Sequence, residues 1–170
     1  RTRRQPCYPL HPPLAHPPAR SSPGGANRVI LPEQREALIA RAREVRARAY
    51  APYSNYPVGA ALLAESGAIY TGVNVENAAF PSTMCAERSA DFTAVAAGER
   101  GFLAMVVVTR DGGSPCGGCR QVLAEFGLDT LVILADEHGR VRAEAPLRDW
   151  LPGAFGAEHL GDIGSVKRDA

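Results

Sequence analysis

The sequence predicts an α/β sandwich built around a mixed sheet of five strands. Two apolar runs without polar alternation, LAMVVVT and TLVILAD, have the length and β-branched content of strands buried on both faces. Segments with helical apolar spacing flank them, and the alternation gives the order α-β-β-α-β-α-β-β-α. At 170 residues with 45% hydrophobic content, the chain can bury one core and is too short for two ordinary domains.

The elements follow in order. Residues 1–28 carry five Arg, no acid and seven of the 14 prolines without apolar periodicity, which predicts a disordered segment. The Arg content suits a transit peptide, but the prolines would break the amphipathic helix such peptides form. Residues 29–160 are the expected catalytic domain and 161–170 a tail. Pro32 at a first helical position opens PEQREALIARAREVRARAY, in which Leu38, Ala42, Val45 and Ala49 recur at helical spacing and Pro52 stops the run. VGAALLA and AIYTGVNV flank the turn Glu65-Ser66-Gly67 and read as a hairpin. A helix runs from about Cys85 to Ala97, closed by Gly98, and the strand LAMVVVT follows. Ser114 and Pro115 supply the expected cap and first-turn proline for CGGCRQVLAEF, which Gly127 ends. TLVILAD, a turn over Asp136 to Arg140, a fifth strand and the short helix APLRDWLP complete the order.

Charge narrows the function. The 19 basic and 18 acidic residues give a net charge of +1, and setting aside the five Arg of the first segment leaves 14 against 18, a balance of −4. Such a folded part offers no basic footprint for nucleic acid or anionic membrane. No run approaches the roughly 18 apolar residues that span a bilayer, so a soluble, cytoplasmic protein is expected.

Three of the four cysteines carry the chemistry. Cys85-Ala86-Glu87 precedes Pro115-Cys116-Gly117-Gly118-Cys119 by about thirty residues, and each half opens a predicted helix. Backbone N–H groups and the helix dipole favour thiolates there. Cys116 and Cys119 have the spacing that turns two sulfurs to one ion, and Cys85 and Glu87 serve one site only if Cys85 lies at the helix start. Three thiolates are one short of a closed tetrahedral zinc site, and an open fourth position is what a catalytic zinc keeps for water. Glu87 is then the proton carrier, acting as general base and general acid. Arg88, adjacent to it, can donate to ligand sulfur and offset the excess negative charge; Arg120 is placed in the same way after Cys119, and Arg88 is preferred. Taken alone, Cys-x-x-Cys reads as structural zinc or a redox pair. A structural module would need a fourth protein ligand, for which Cys7, His138 and His159 are the candidates.

Beyond the metal motifs, YAPYSNYPVGAALL, TGVNVENAAFP, CAERSA, SPCGGCRQVLAEFG and WLPGAFGAEHL resemble the small cytidine deaminase family over residues 50–160. That resemblance implies a three-layer α/β/α sandwich, one zinc per chain, a homotetramer with sites at subunit boundaries, and hydrolysis of cytidine and deoxycytidine to uridine products and ammonia in pyrimidine salvage. It places Asn74 and Glu76 on the ribose 3′-hydroxyl, Tyr56 against the pyrimidine at a position usually held by Phe, the Ala86 backbone on the base, and Phe155 in a neighbouring subunit's site. Read locally, Asn74 and Glu76 are loop solvation and Tyr56 hairpin packing. Phe80 stands where the family often has Tyr, and FGAEHL replaces the commoner FGPEDL-like ending. Rival substrates are other amino-pyrimidine nucleosides such as blasticidin S, with nucleic-acid editing disfavoured by charge.

Overall fold

The computed structural model describes residues 30–160, so the segment expected to be disordered, Cys7 and the tail lie outside the described residues. The chain runs α1 (Pro32–Arg46), β1 (Gly59–Ala64), β2 (Ile69–Val73), α2 (Ala86–Ala96), β3 (Phe102–Val108), α3 (Gly117–Ala124), β4 (Leu131–Ala135), β5 (Val141–Pro146) and α4 (Leu147–Trp150), the order expected from periodicity. The five strands form one sheet in the order β2-β1-β3-β4-β5. Only β3 and β4 pair in parallel, and the other three pairs are antiparallel, so the sheet is mixed.

Alternation along the central strands sorts their side chains into two cores. Ala61, Leu63, Ala104, Val106, Val108, Ile133 and Ala135 point to one face and pack with Leu38 and Ala42 of α1. Ala60, Leu62, Met105, Val107, Val132 and Leu134 point to the other, where Ala86, Ala90 and Ala94 of α2, Leu123 of α3 and Leu147 of α4 cover them. Strands covered on both faces need no polar residues, and the result is three layers.

Two local expectations are corrected. The first helix ends at Arg46 and not near Pro52, because Tyr50 is drawn into backbone bonds with the segment after β2: its N–H donates to the Asn74 carbonyl at 3.0 Å and its carbonyl accepts from the Glu76 N–H at 2.8 Å. Val45 and Ala49 are accordingly only partly buried. Ser114 does not cap α3, whose N-cap is Cys116; the Ser114 hydroxyl accepts instead from Arg120 at 2.9 Å. The expected punctuation elsewhere is seen as positive φ at Gly67 (88°) in the hairpin and Gly98 (99°) after α2.

Alanines and one glycine set how closely α2 lies on the sheet. A Cβ on Gly72 of β2 would lie 2.4 Å from both the Ala86 carbonyl oxygen and the Ala90 amide nitrogen, so the α2 backbone rests directly on β2. That approach fixes the start of α2, where Cys85 and Glu87 sit. Gly72→Ala is expected to destabilise the protein by about 1–3 kcal/mol, as overpacking against backbone cannot relax through a rotamer. Denaturant unfolding of the two proteins checks this, and equal midpoints would show that α2 does not depend on the contact.

Candidate metal centre and active site

The helices α2 and α3 begin side by side on one face of the sheet. Cys85 is the N-cap of α2, with φ −76° and ψ 154°, and Cys116 is the N-cap of α3, with φ −67° and ψ 164°. The chain reaches Cys85 through a loop closed by paired backbone bonds between Val75 and Met84, at 2.9 and 3.0 Å. Cys85 therefore lies at the helix start, the placement that lets Glu87 share its site. Cys119, in the first turn of α3, is buried, while Cys116 is exposed.

The three sulfurs lie within 4.8 Å of one another, with Cys85 Sγ 3.9 Å from Cys116 Sγ and Cys116 Sγ 3.5 Å from Cys119 Sγ. Zinc–sulfur bonds of about 2.3 Å at tetrahedral angles would set sulfurs about 3.8 Å apart, so the trio fits zinc with little rearrangement. Charge agrees with distance. A hydrogen bond from Cys119 pulls the Cys85 thiol down to about 5, with Arg88 and Cys116 assisting against burial, and the same bond pushes Cys119 up. A proton held by Cys119 against a Cys85 thiolate is one that a bound cation would displace. Among the described residues no other His, Cys, Asp or Glu joins this cluster. His138 lies in the turn capped by Asp136, and His159 stacks on Phe155 with centroids 5.1 Å apart, so neither supplies a fourth ligand.

The two arginines divide the work. Arg88 Nη2 donates toward Cys85 Sγ at 3.7 Å. Arg120 turns away: its guanidinium donates to the Pro115 carbonyl at 2.8 Å, the Trp150 carbonyl at 2.7 Å and Ser114 Oγ at 2.9 Å, tying α3 to α4.

Glu87 and Asp91 are successive inward positions of α2, one turn apart. Glu87 is 7% exposed, and burial pushes its carboxyl up, with the negative charge of Cys85 acting in the same direction. The sequence reading missed Asp91, which is 0% exposed with neither carboxylate oxygen hydrogen-bonded. Burial first, then the charge of Glu87, raises it to about 7. An acid among alanines at helical spacing was the available signal.

The remaining candidates are spread over several places, and of them only Glu76 lines a cleft. Asn74, at the end of β2, is buried and holds the segment before β1: its Oδ1 accepts from the Val58 N–H at 2.8 Å and its Nδ2 donates to the Tyr56 carbonyl at 2.9 Å. Glu76 accepts from the N–H groups of Tyr53 and Ser54 at 2.8 and 3.2 Å, which hold its carboxyl below the usual range together with the Ser54 hydroxyl. Glu76, Tyr53, Ser54, Phe80 and Thr83 line a cleft of about 360 Å³. None of the cysteines lines that cleft, and the short segment from Thr83 to Cys85 joins the two places. Tyr53, Ser54 and Thr83 carried no signal of their own in the sequence. The Ala86 backbone opens α2 next to Cys85. Phe155 stands apart from the cleft, 56% exposed, with its carbonyl accepting from Gln121 at 2.7 Å. No helix among the described residues is long and apolar enough to cross a membrane.

The chain is similar to known proteins. The family model described as the cytidine and deoxycytidylate deaminase zinc-binding region matches residues 32–135. The cytidine deaminase of Sporosarcina psychrophila is 51% identical over 128 residues, 74% of this chain and 93% of that protein. That of Halalkalibacterium halodurans is 45% identical over 131 residues, 75% of this chain and 98% of that protein. The crystal structure of the Burkholderia pseudomallei cytidine deaminase superposes with a TM-score of 0.67 at 46% identity, covering 71% of this chain and 98% of that one.

Asp91 yields a pH-dependent prediction. Its folded pKa lies above the ordinary carboxyl value, so its favourable contribution is complete below about pH 4 and is lost as pH rises to about 7. Asp91→Leu is therefore expected to be more stable than the wild type at pH 8, by about 2 kcal/mol, with the gap closing toward pH 5. Unfolding midpoints of the zinc-saturated proteins measure it; a gap independent of pH would show that Asp91 does not titrate in the folded state.

Proposed function

The chain belongs to the cytidine and deoxycytidylate deaminase family, and from that premise we propose that it hydrolyses cytidine and deoxycytidine to uridine and deoxyuridine with release of ammonia. The observation that carries this reading is the three-sulfur cluster without a fourth protein ligand among the described residues, beside a buried acid that is not part of it. Cys85, Cys116 and Cys119 would hold one Zn²⁺, which supplies the Lewis acidity that makes water a nucleophile near neutral pH.

The protein's own groups then account for the proton movements. Glu87 takes a proton from the water that adds to C4 of the pyrimidine and delivers it to ring N3. It carries the second proton from the new hydroxyl to the amino group, which leaves as ammonia while the C4 carbonyl forms. A raised carboxyl pKa suits both directions of transfer, and burial keeps bulk water from exchanging the proton. Three thiolates around a divalent ion leave a formal charge of −1, and the Arg88 donation toward Cys85 lessens it.

The substrate side of the reading puts Glu76 and Asn74 on the ribose, Tyr56 against the base, and the Ala86 backbone at the base's edge. Support for Glu76 comes from its place in the cleft, and support for Asn74 from its hold on the segment that carries Tyr56. Phe155 would complete the site of a neighbouring subunit in a homotetramer, and the exposed Phe80 (70%) and Phe155 (56%) suit burial by other copies. Residues 29–160 would be the catalytic unit of a cytoplasmic enzyme of pyrimidine salvage.

Zinc content and the loss of cytidine absorbance test the reading together. The wild type is expected to hold about one zinc per chain and convert cytidine, while Glu87→Gln keeps the metal and loses about 10²–10⁴-fold in kcat. Full turnover by Glu87→Gln would remove Glu87 from the mechanism. Zinc without turnover of cytidine or deoxycytidine would move the substrate to another amino-pyrimidine, with blasticidin S the first to try.

A further inference from the structure

The turn between β3 and Cys116 is fastened by groups that the reaction as described does not use. Because β1 and β3 are antiparallel neighbours with Gly59 opposite Val108, the segment before β1 and the turn after β3 emerge at the same end of the sheet. There the Tyr56 hydroxyl donates to Asp111 Oδ1 at 2.5 Å across 55 positions of sequence. The same oxygen accepts from the Thr109 hydroxyl at 3.2 Å, and Thr109 Oγ1 in turn accepts from the N–H groups of Gly112 and Gly113 at 2.8 and 2.7 Å. A Cβ on Gly113 would lie 2.8 Å from the Tyr56 hydroxyl, so the phenol occupies the space a side chain there would need. Arg110 lies over the Tyr56 ring, 5.6 Å from its centroid.

We propose that the Tyr56 hydroxyl and the Asp111 carboxylate form a latch that holds the nucleoside-facing ring in register with the turn delivering Cys116 and Cys119, making both positioning residues. Three features distinguish the latch from an incidental surface contact. Its acceptor is a carboxylate, which strengthens and shortens the bond. Hydrogen bonding from Tyr56 holds the Asp111 carboxyl below its usual range. Tyr56 is also tied through its backbone, its N–H donating to Ser54 Oγ at 3.0 Å and its carbonyl accepting from Asn74, so a displacement of the turn is transmitted to the ring and not absorbed by a loose loop. On the other side the turn is short: four residues lie between Asp111 and Cys116, and an isolated bridge pairs Asp111 with Asp136 just after β4. The ring's part rests on the nucleoside reading above, whereas the hold on the metal ligands stands on the turn alone.

The test uses the zinc-loaded full chain as wild type, Tyr56→Phe, Asp111→Ala, Asp111→Asn and the double variant Tyr56→Phe/Asp111→Ala. Measured are kcat and KM for cytidine and the rate of zinc release to an excess of chelator. Tyr56→Phe and Asp111→Ala are each expected to raise KM and to speed zinc release about three- to tenfold, the worth of one such hydrogen bond, with kcat changing less. The double variant is expected to be no worse than either single one, and Asp111→Asn, which keeps an oxygen acceptor for the phenol but loses the charge, to fall between the wild type and Asp111→Ala. Additive effects in the double variant, or zinc release unchanged in both single variants, would overturn the latch. Should the wild type convert neither cytidine nor deoxycytidine, the nucleoside reading fails, and the zinc-release series still decides whether the latch holds the metal ligands.

Discussion

Everything chemical in this protein depends on two helices starting at the same place. A cysteine at an N-cap has extended φ/ψ, so its sulfur lies ahead of the helix and close to unpaired N–H groups, and two such caps side by side bring their sulfurs to 3.9 Å. The third sulfur follows because Cys119 lies one turn into α3. Helix starts are held in place only as well as the helices are, and here Gly72 lets α2 lie against β2 while Arg120 ties α3 to the end of α4. The metal centre is thus a product of packing as much as of ligand identity.

Burial then sets the charges. Glu87 and Asp91 share the inward stripe of α2 with Ala90 and Ala94, and no arginine or lysine is bonded to either carboxylate in the described residues. Removing carboxylates from water favours their protonated forms, most of all for Asp91, whose oxygens have no hydrogen-bond partner. For Glu87 that suits the proton transfers proposed above, since a raised pKa makes a carboxyl readier to hold a proton. For Asp91 it is a standing cost to stability at neutral pH, carried by the helix that also carries Glu87. Arg88 reaches the sulfurs from the same helix, and its charge only partly offsets the effect of burial on Glu87.

The cleft and the sulfur cluster are joined by chain and by side-chain bonds, not by a shared cavity. The Val75–Met84 bridge leads from Glu76 to Cys85, the Asn74 amide binds the backbone of Tyr56 and Val58, and Tyr56 reaches Asp111 in the turn before Cys116. These few hydrogen bonds tie the segment before β1, the end of β2 and the turn before Cys116 to one another. The exposed Phe155 lies outside this network and does not line the cleft; its carbonyl accepts from Gln121 and its ring stacks on His159.

How much of this was legible beforehand follows from the range of the interactions. Element order, the five strands, the hairpin and the start of α2 at Cys85 are written in local patterns of period, glycine and proline, and the cysteine spacing fixes which three sulfurs can share an ion. Misreadings arose where a distant partner overrode local preference: Tyr50 left a helical pattern to pair beside β2, and Ser114 bonded Arg120 instead of capping α3. Arg88 follows the acid and Arg120 follows Cys119, and it is the Pro115 and Trp150 carbonyls and the Ser114 hydroxyl that engage Arg120 in the fold. The sequence by itself determined the fold class and the ligand set, because period and spacing are properties of neighbouring residues. Tertiary structure alone decided the protonation of Asp91, the partner of Tyr56 and the direction of each arginine, because burial and hydrogen bonding depend on residues that the chain brings together only when folded.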